Sequence, residues 1–280
     1  MHSIAAETIQ QRVRDMVIRV SRNLPGDVVA ALQRAREEET DEGARQILGE
    51  LLENAELARE KDLPLCQDTG VGVFFVEHGE DCRVEGDSLS RVLERAMAQA
   101  YEEGLLRKSL CHPLTRQNTG DNTPALIHTD LVPGREIRIR FMAKGGGSEN
   151  MSRCTMLTPA QGWEGIKEFV VDRVAQAGPN PCPPTIVGVG VGGSFDQAPL
   201  LAKKSLFRSL DRAHPDPEIA DMERELLQEI NTLGIGPMGL GGRTTSLGVR
   251  MEMAPCHIAS LPVAVNIQCH SSKHEEVVVA

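Results

Sequence analysis

The stretch that decides the fold is NPCPPTIVGVGVGG, residues 180–193. Its second part, residues 185–193, is apolar and β-branched and runs into glycines, which is typical of a strand buried on both faces. A strand of this kind needs helices to cover it, and helical patterns flank it at about 160–177 and 197–212. The sequence therefore predicts an α/β fold.

Helices and strands alternate along the rest of the chain, without an internal repeat or a low-complexity linker. Helical patterns cover about 3–24, 27–38, 42–60, 87–105 and 217–233, and strand patterns cover 71–79, 125–131, 136–144 and 261–270. We expect a single domain over residues 1–280, with a helical N-terminal layer over about 1–62 and an α/β part over about 63–280.

The composition excludes several classes of protein. Of 280 residues, 40% are hydrophobic and 25% are charged, which is ordinary for a globular enzyme and unlike a disordered chain. The balance of 30 Lys and Arg against 40 Asp and Glu gives a net charge of -10, which repels phosphate backbones. Aromatic residues make up only 3%, so stacking surfaces for single-stranded nucleic acid are also missing. We expect no nucleic-acid partner.

The sequence also lacks the patterns of a membrane or secreted protein. No apolar run reaches about 18 residues, and charges interrupt the apolar pattern of the N-terminus. The 7 cysteines are an odd number spread over the whole length, which argues against a disulfide framework and for reduced thiols. We expect a cytoplasmic protein with no membrane partner.

Some of these cysteines lie in polar or glycine-rich segments where a metal could bind. Cys66 lies in LCQDTG (65–70), Cys182 lies between two prolines that fix its backbone, and the third is either Cys256 or Cys269. No two cysteines are closer in sequence than this last pair, so a structural zinc finger is excluded. Three dispersed thiolates suit an iron-sulfur cluster with one iron left without a protein ligand.

The remaining cysteines, Cys82, Cys111 and Cys154, lie in ordinary contexts and are expected to be small hydrophobic residues. Asp68 in CQDTG has two interpretations. Its side chain either caps a turn, or acts as an acid or base beside a metal. The glycines of KGGGSEN (144–150) form either an anion-binding nest or a plain turn.

GVGVGG offers a different class of function. Gly188, Gly190 and Gly193 match a dinucleotide-binding fingerprint, with Asp211 at about the distance of a ribose-binding acid. This fingerprint normally opens the first strand-helix-strand unit, whereas here it comes two-thirds of the way along the chain. Glycines for close helix packing are the favoured interpretation, and an NAD-binding oxidoreductase is the more distant alternative.

Six motifs, in order over residues 64–270, resemble the alpha subunit of class I fumarate hydratases, a family that includes L(+)-tartrate dehydratase alpha subunits. They are CQDTG, NTGDNTPA, KGGGSEN, NPCPPTIVGVGVGG, GIGPMGLGGRTT and HIASLPVAVNIQCH. The resemblance implies the N-terminal domain of class I fumarases and a 4Fe-4S cluster held by three cysteines. By motif the ligands are Cys66, Cys182 and Cys269, and Cys256 competes with Cys269 for the third position.

The resemblance also implies residues that contact a small dicarboxylate substrate. Gln67 and Asp68 follow the first ligand, and Asp68 is expected to donate a proton. Arg107, in LLRKSLCHPL, is expected to bind a substrate carboxylate. His257, twelve residues before Cys269, is expected to contact substrate as a catalytic residue.

The activity implied is the reversible hydration of fumarate to (S)-malate, a step of the tricarboxylic acid cycle, with the open iron of the cluster as Lewis acid. Dehydration of L(+)-tartrate by an alpha subunit is the near alternative, because both activities share the motifs. Single-chain members of the family continue with a second catalytic domain, so a beta subunit is expected to carry the rest of the active site in a heteromer.

Overall fold

The computed structural model describes residues 2–280 and shows a mixed α/β fold. The helices are α1 (Ala6–Arg22), α2 (Gly26–Glu38), α3 (Glu42–Glu60), α4 (Leu89–Glu103), α5 (Gly146–Glu149), α6 (Gly162–Ala177), α7 (Gln197–Ser205) and α8 (Pro217–Thr232). The strands are β1 (His2–Ala5), β2 (Val71–Gly79), β3 (Cys82–Glu85), β4 (Leu126–Val132), β5 (Ile137–Lys144), β6 (Arg153–Leu157), β7 (Thr185–Gly192), β8 (Ser246–Ala254), β9 (Leu261–Gln268) and β10 (His274–Val279).

The chain divides into two compact units, each built from separate stretches. The first unit comprises the chain up to Pro25 together with Ala55–Gly146 and Lys273–Ala280. The second comprises Gly26–Asn54 and Gly147–Ser272. The α/β class predicted from the sequence is confirmed, and each unit has its own sheet and core.

The first unit is built on a mixed sheet in the order β10-β5-β2-β4. Strand β2 lies at its centre, antiparallel to β5 and parallel to β4. Phe74 and Phe141 contact each other with ring centroids 4.9 Å apart. Apolar faces of α1 and α4 bury this surface, with Met97 fully enclosed. A short parallel pair, β1 with β3, completes the unit.

The second unit is built on a mixed sheet in the order β6-β9-β7-β8. All eight residues of β7 are buried. Because side chains alternate along a strand, Val187, Val189 and Val191 face the core formed with α6 and α8. The intervening glycines face α7, so β7 is covered on both faces as its composition predicts.

Glycine is required on the α7 face of β7 because the helix backbone lies against it. A Cβ at Gly190 would come within 2.0 Å of the Ala198 carbonyl oxygen, and one at Gly188 within 2.1 Å of the Ala202 carbonyl oxygen. Both glycines lie inside β7 rather than in a turn at its end. The fingerprint is therefore a helix-packing feature, as favoured, and the geometry gives no support to a dinucleotide site. Asp211 forms an ion pair with Arg34 at 3.6 Å.

Two expectations about secondary structure are corrected. Helix α7 ends at Ser205 instead of continuing to about residue 212, because the chain turns there and the Leu210 amide donates to Asp27 at the start of α2. Strand β8 begins at Ser246, at the end of the glycine-rich stretch 234–248, where the sequence pattern predicts no strand. Pairing with buried β7 overrides this weak local pattern.

The expected N-terminal helical layer is divided between the units. Helix α1 packs on α4 in the first unit, whereas α2 contacts β8 in the second. A contact between residues far apart in sequence holds α2 in the second unit. The carboxylate of Glu39, a buried residue that follows α2, accepts a hydrogen bond from the Arg243 amide at 2.7 Å. The single domain stays a prediction, within which these two units are distinguished.

None of the helices within residues 2–280 is both long and apolar enough to cross a membrane.

Replacing Gly190 with alanine is expected to destabilise the protein, because the added methyl group meets the backbone of α7. Overpacking of this kind costs about 1–3 kcal/mol, measurable as a lower urea midpoint by circular dichroism. Gly26→Ala is the matched control, because nothing lies within 4 Å of a Cβ there and Gly26 starts a helix. Equal midpoints for the two variants would contradict the role assigned to Gly190.

Candidate functional site

The CQDTG loop of the first unit joins α3 to β2 and holds Asp68 in one orientation. Asp68 Oδ1 accepts the Gly70 amide at 3.1 Å, and Oδ2 accepts the Gly146 amide at 2.7 Å. Gly145 lies so close that a Cβ there would be 3.0 Å from Oδ2. Asp68 therefore caps its own turn, as one of its two interpretations predicts, and its role as an acid or base stays a prediction. One amide of the KGGGSEN glycines, that of Gly146, donates to a side-chain carboxyl group, that of Asp68.

Buried polar side chains tie this loop to two others. The Tyr101 hydroxyl donates to the Thr69 carbonyl at 2.7 Å and lies 3.1 Å from the Gly70 carbonyl, and burial raises the pKa of this hydroxyl. The Asn122 Nδ2 donates to Gly70 at 3.1 Å, and its Oδ1 accepts the amides of Ser109 and Leu110.

Arg107 lies where these loops meet. Its carbonyl accepts the Thr69 hydroxyl at 2.5 Å, and its side chain is exposed. Lys273 is buried and begins the C-terminal stretch of the unit. Its ammonium group donates a hydrogen bond to the Asp68 carbonyl. Asn122 and Lys273 were not singled out from the sequence. Asn122 has a left-handed backbone, with φ of 65°. Asparagine in a turn sequence such as DNTP tolerates this conformation, and that context was the sequence feature that could have pointed to Asn122.

Cys66 and Gln67 lie on the surface side of the same loop. The Cys66 sulfur is partly buried and accepts the Asp68 amide at 3.4 Å, and its thiol lies 3.4 Å from the Gln67 Oε1. Gln67 is exposed. These two contacts hold the Cys66 sulfur against its own loop.

Cys182 belongs to the second unit and has an unusual backbone. Its φ is 54°, in the left-handed region that residues with a side chain rarely adopt. Pro181 and Pro183 are buried on either side, while Cys182 itself is exposed. The His270 Nδ1 donates to the Cys182 carbonyl at 2.9 Å. Strain held in this way at an exposed thiol is typical of a functional position.

The pairing of β7 with β9 places Cys182 and Cys269 at one edge of the sheet. These strands are antiparallel, and Ile186 near the start of β7 lies opposite Gln268 at the end of β9. Cys182 precedes β7 and Cys269 follows β9, so both come from the same end, here named the cysteine edge. The glycine-rich segment joins them there, since the Met238 amide donates to the Pro183 carbonyl at 2.7 Å.

Cys256 and His257 lie at the opposite end of the sheet. They follow β8 and precede β9, whose eight residues separate them from Cys269. At about 3.3 Å per residue, this separation is roughly 25 Å. The Cys256 thiol donates to the Ser260 carbonyl at 3.2 Å. His257 is exposed, and its Nδ1 accepts the Ala259 amide at 3.1 Å. Within the second unit the structure does not bring His257 to the cysteine edge.

Several buried polar atoms around Cys269 have no hydrogen-bond partner among residues 2–280. They are Asn266 Oδ1, Gln268 Oε1, Gln268 Nε2 and Ser271 Oγ. Such atoms are costly in a protein interior unless something binds them. Sequence reasoning missed these residues, because a polar side chain in an apolar strand pattern gives no sign of whether it is partnered.

Across residues 2–280 no three His, Cys, Asp or Glu side chains surround one point as ligands of a single metal ion. In an iron-sulfur cluster each cysteine binds a different iron, so one shared point is not required. The two thiols at the cysteine edge fit a bound group of that type. Cys82, by contrast, lies in the first core, where burial raises the pKa of its thiol.

Asn122→Ala is expected to loosen the loops around Asp68, because it leaves the amides of Ser109 and Leu110 without their acceptor. Each of these partly buried amides costs up to about 1–3 kcal/mol when it loses its acceptor, which is read as a lower urea midpoint. Asn118→Ala is the matched control in the same loop, because Asn118 makes its hydrogen bonds at the exposed surface. A loss at Asn118 as large as at Asn122 would contradict the prediction.

Comparison with known proteins agrees with the resemblance carried by the motifs. Residues 10–278 match the family described as Fumarate hydratase (Fumerase). A Methanocaldococcus jannaschii protein named provisionally as L(+)-tartrate dehydratase subunit alpha is 44% identical over 94% of this chain and 95% of its own. The L(+)-tartrate dehydratase subunit alpha of Escherichia coli O157:H7 is 32% identical over 98% of this chain and 92% of its own. The chain belongs to the fumarate hydratase (Fumerase) family of hydro-lyases.

Proposed function

We propose that this chain is the alpha subunit of an iron-sulfur hydro-lyase that removes water from L(+)-tartrate. The names of its relatives favour tartrate over the fumarate and (S)-malate pair that the motifs first suggested. Hydration of fumarate to (S)-malate is the second candidate, and the family description supports it. Both reactions break a C–O bond beside one carboxylate and a C–H bond on the neighbouring carbon.

The observation that carries this proposal is the cysteine edge. Cys182 and Cys269 come from loops that share one end of a sheet. The family motifs name these two residues and Cys66 as the ligands of a 4Fe-4S cluster. When bound, such a cluster supplies a Lewis-acidic iron that weakens the bond to a leaving hydroxyl without any change of oxidation state. Cys256 lies at the other end of β9, so the geometry favours Cys269 as the third ligand.

Asp68 would supply the proton to the departing hydroxyl. Its carboxyl group is held in one orientation by two backbone amides. Little free energy is therefore spent on reorienting the side chain when substrate binds. The shorter of these hydrogen bonds engages Oδ2, which leaves Oδ1 the less committed oxygen. We therefore assign the transferred proton to Oδ1.

Arg107 and Gln67 would bind the substrate itself. Both side chains are exposed, and both residues belong to loops tied to the Asp68 segment. The guanidinium group of Arg107 offers a planar fork that matches a carboxylate, which a lysine ammonium does not. Gln67 can donate to a carboxylate or a hydroxyl through its amide.

A beta subunit would complete the site. The relatives in the comparison are named as alpha subunits, and this chain is expected to assemble with a partner in the same way. His257 is left out of the site formed by one chain, because it lies about 25 Å from Cys269 along β9.

The substrate is tested by co-producing the chain with its partner subunit without oxygen and measuring turnover of L(+)-tartrate and (S)-malate. We expect a higher kcat/KM for tartrate and loss of activity in air together with loss of iron. A preparation that contains iron and prefers malate would establish the second candidate. A protein without iron after anaerobic reconstitution would overturn the proposal.

The third ligand is tested by comparing Cys269→Ser with Cys256→Ser. We expect Cys269→Ser to lose most of its iron and visible absorbance, since a serine hydroxyl is a poor ligand for iron in a cluster. Cys256→Ser is the matched control and should keep both, because that thiol lies at the far end of the sheet. Iron loss in Cys256→Ser alone would reverse the assignment.

A further inference from the structure

Unpartnered buried polar atoms are concentrated around Cys269. Among residues 2–280, six buried side-chain nitrogen or oxygen atoms have no hydrogen-bond partner, and four of them belong to Asn266, Gln268 and Ser271. The other two are single atoms of Arg22 and Arg208. A segment of six residues that contains most of these atoms requires an explanation of its own.

Gln268 is the extreme case. The residue is 1% exposed, and both ends of its amide, the Oε1 acceptor and the Nε2 donor, lack a partner. Leaving a polar group in this condition costs about 1–3 kcal/mol, and an apolar side chain of the same length would avoid that cost. An unpartnered buried amide destabilises the fold, so its presence here is typical of a group kept for binding.

The strand geometry places this amide at the cysteine edge. Ile267 packs into the core formed with α6 and α8, so its neighbour Gln268 points to the other face of the sheet. Gln268 lies opposite Ile186, four residues after Cys182, and directly before Cys269. Nearby on the same face, the Asn266 Nδ2 donates to Glu149 at 3.0 Å, which fixes that amide and leaves its oxygen unpartnered.

The chemistry of a primary amide restricts what can satisfy both of its ends. A sulfide only accepts hydrogen bonds, so it would satisfy Nε2 and leave Oε1 unpaired. A carboxylate with a hydroxyl on the adjacent carbon offers an acceptor and a donor side by side. That pair matches the amide in both respects.

We propose that Gln268 is a specificity-determining residue that binds the half of tartrate that keeps its hydroxyl. Nε2 donates to the carboxylate of that half, and Oε1 accepts the proton of its hydroxyl. (S)-Malate has a methylene group at this position, so it leaves Oε1 unpaired in a buried site. This inference rests on the proposed function and explains how the enzyme would distinguish the two acids.

The test is Gln268→Met in the complete anaerobic enzyme, with L(+)-tartrate and (S)-malate as probes for turnover and for calorimetric binding. Losing a hydrogen-bonded hydroxyl contact costs a large factor, so we expect kcat/KM for tartrate to fall on the order of 100-fold. The value for malate should fall less than about 10-fold, because the contact that malate loses at Nε2 is offset by removal of the Oε1 that malate leaves unpaired. Ser271→Ala is the control, since it removes another unpartnered polar atom from the segment and should leave the tartrate-to-malate ratio unchanged.

A second measurement separates a binding role from a structural one. Without substrate, Gln268→Met should have a urea midpoint equal to or higher than that of the wild type, because an unpaired polar group has been removed. A clear loss of stability, or an unchanged tartrate-to-malate ratio, would show that the amide pairs with a buried water and would overturn the inference. A wild-type enzyme that binds and turns over malate alone would refute the tartrate assignment, and one that binds neither acid would refute both proposals.

Discussion

The antiparallel pairing of β7 with β9 is the constraint on which the candidate site of the second unit depends. This register brings the segment before β7 and the segment after β9 to the same end of the sheet. It also sends the segment between β8 and β9 to the other end, since β8 runs parallel to β7. Cys182 and Cys269 therefore share an edge that Cys256 cannot reach, although Cys256 and Cys269 are the closest cysteines in sequence.

Close packing keeps this pairing in place. Strand β7 has glycine wherever the α7 backbone approaches and valine wherever α6 and α8 do. A one-residue shift would place valine against the α7 backbone and glycine against the other core. The register of the whole sheet is thereby fixed, and with it the position of the loops that carry Cys182 and Cys269. The cysteine edge, by contrast, contains a left-handed residue and several unpartnered polar atoms.

In the first unit, hydrogen bonds from backbone amides, rather than strand pairing, fix the position of the candidate site residue. Asp68 is oriented by Gly70 and Gly146, and the loop carrying it is secured by the fully buried side chains of Tyr101 and Asn122. All of these hydrogen bonds except that of the Gly70 amide connect segments far apart in sequence. The sequence shows CQDTG, DNTP and KGGG as separate motifs, and only their hydrogen bonds show that they support one carboxylate.

By itself the sequence determined the α/β class, most helices and central strands, the family and the candidate residues. These follow from local information, namely periodicity, turn residues and motifs with a fixed order. Strand β8 was missed because its existence depends on its neighbour β7. The division of the N-terminal helices between two units was not visible in the sequence, because it depends on the different partners of α1 and α2.

Tertiary structure alone showed which cysteine lies at the same end of the sheet as Cys182, which glycines the α7 backbone requires, and that His257 lies far from Cys269 along the sheet. It also revealed Gln268, whose sequence context is that of an ordinary buried strand. The physical reason is the same in each case. Strand register and hydrogen-bond satisfaction are properties of pairs of distant residues, so no single stretch of sequence contains them.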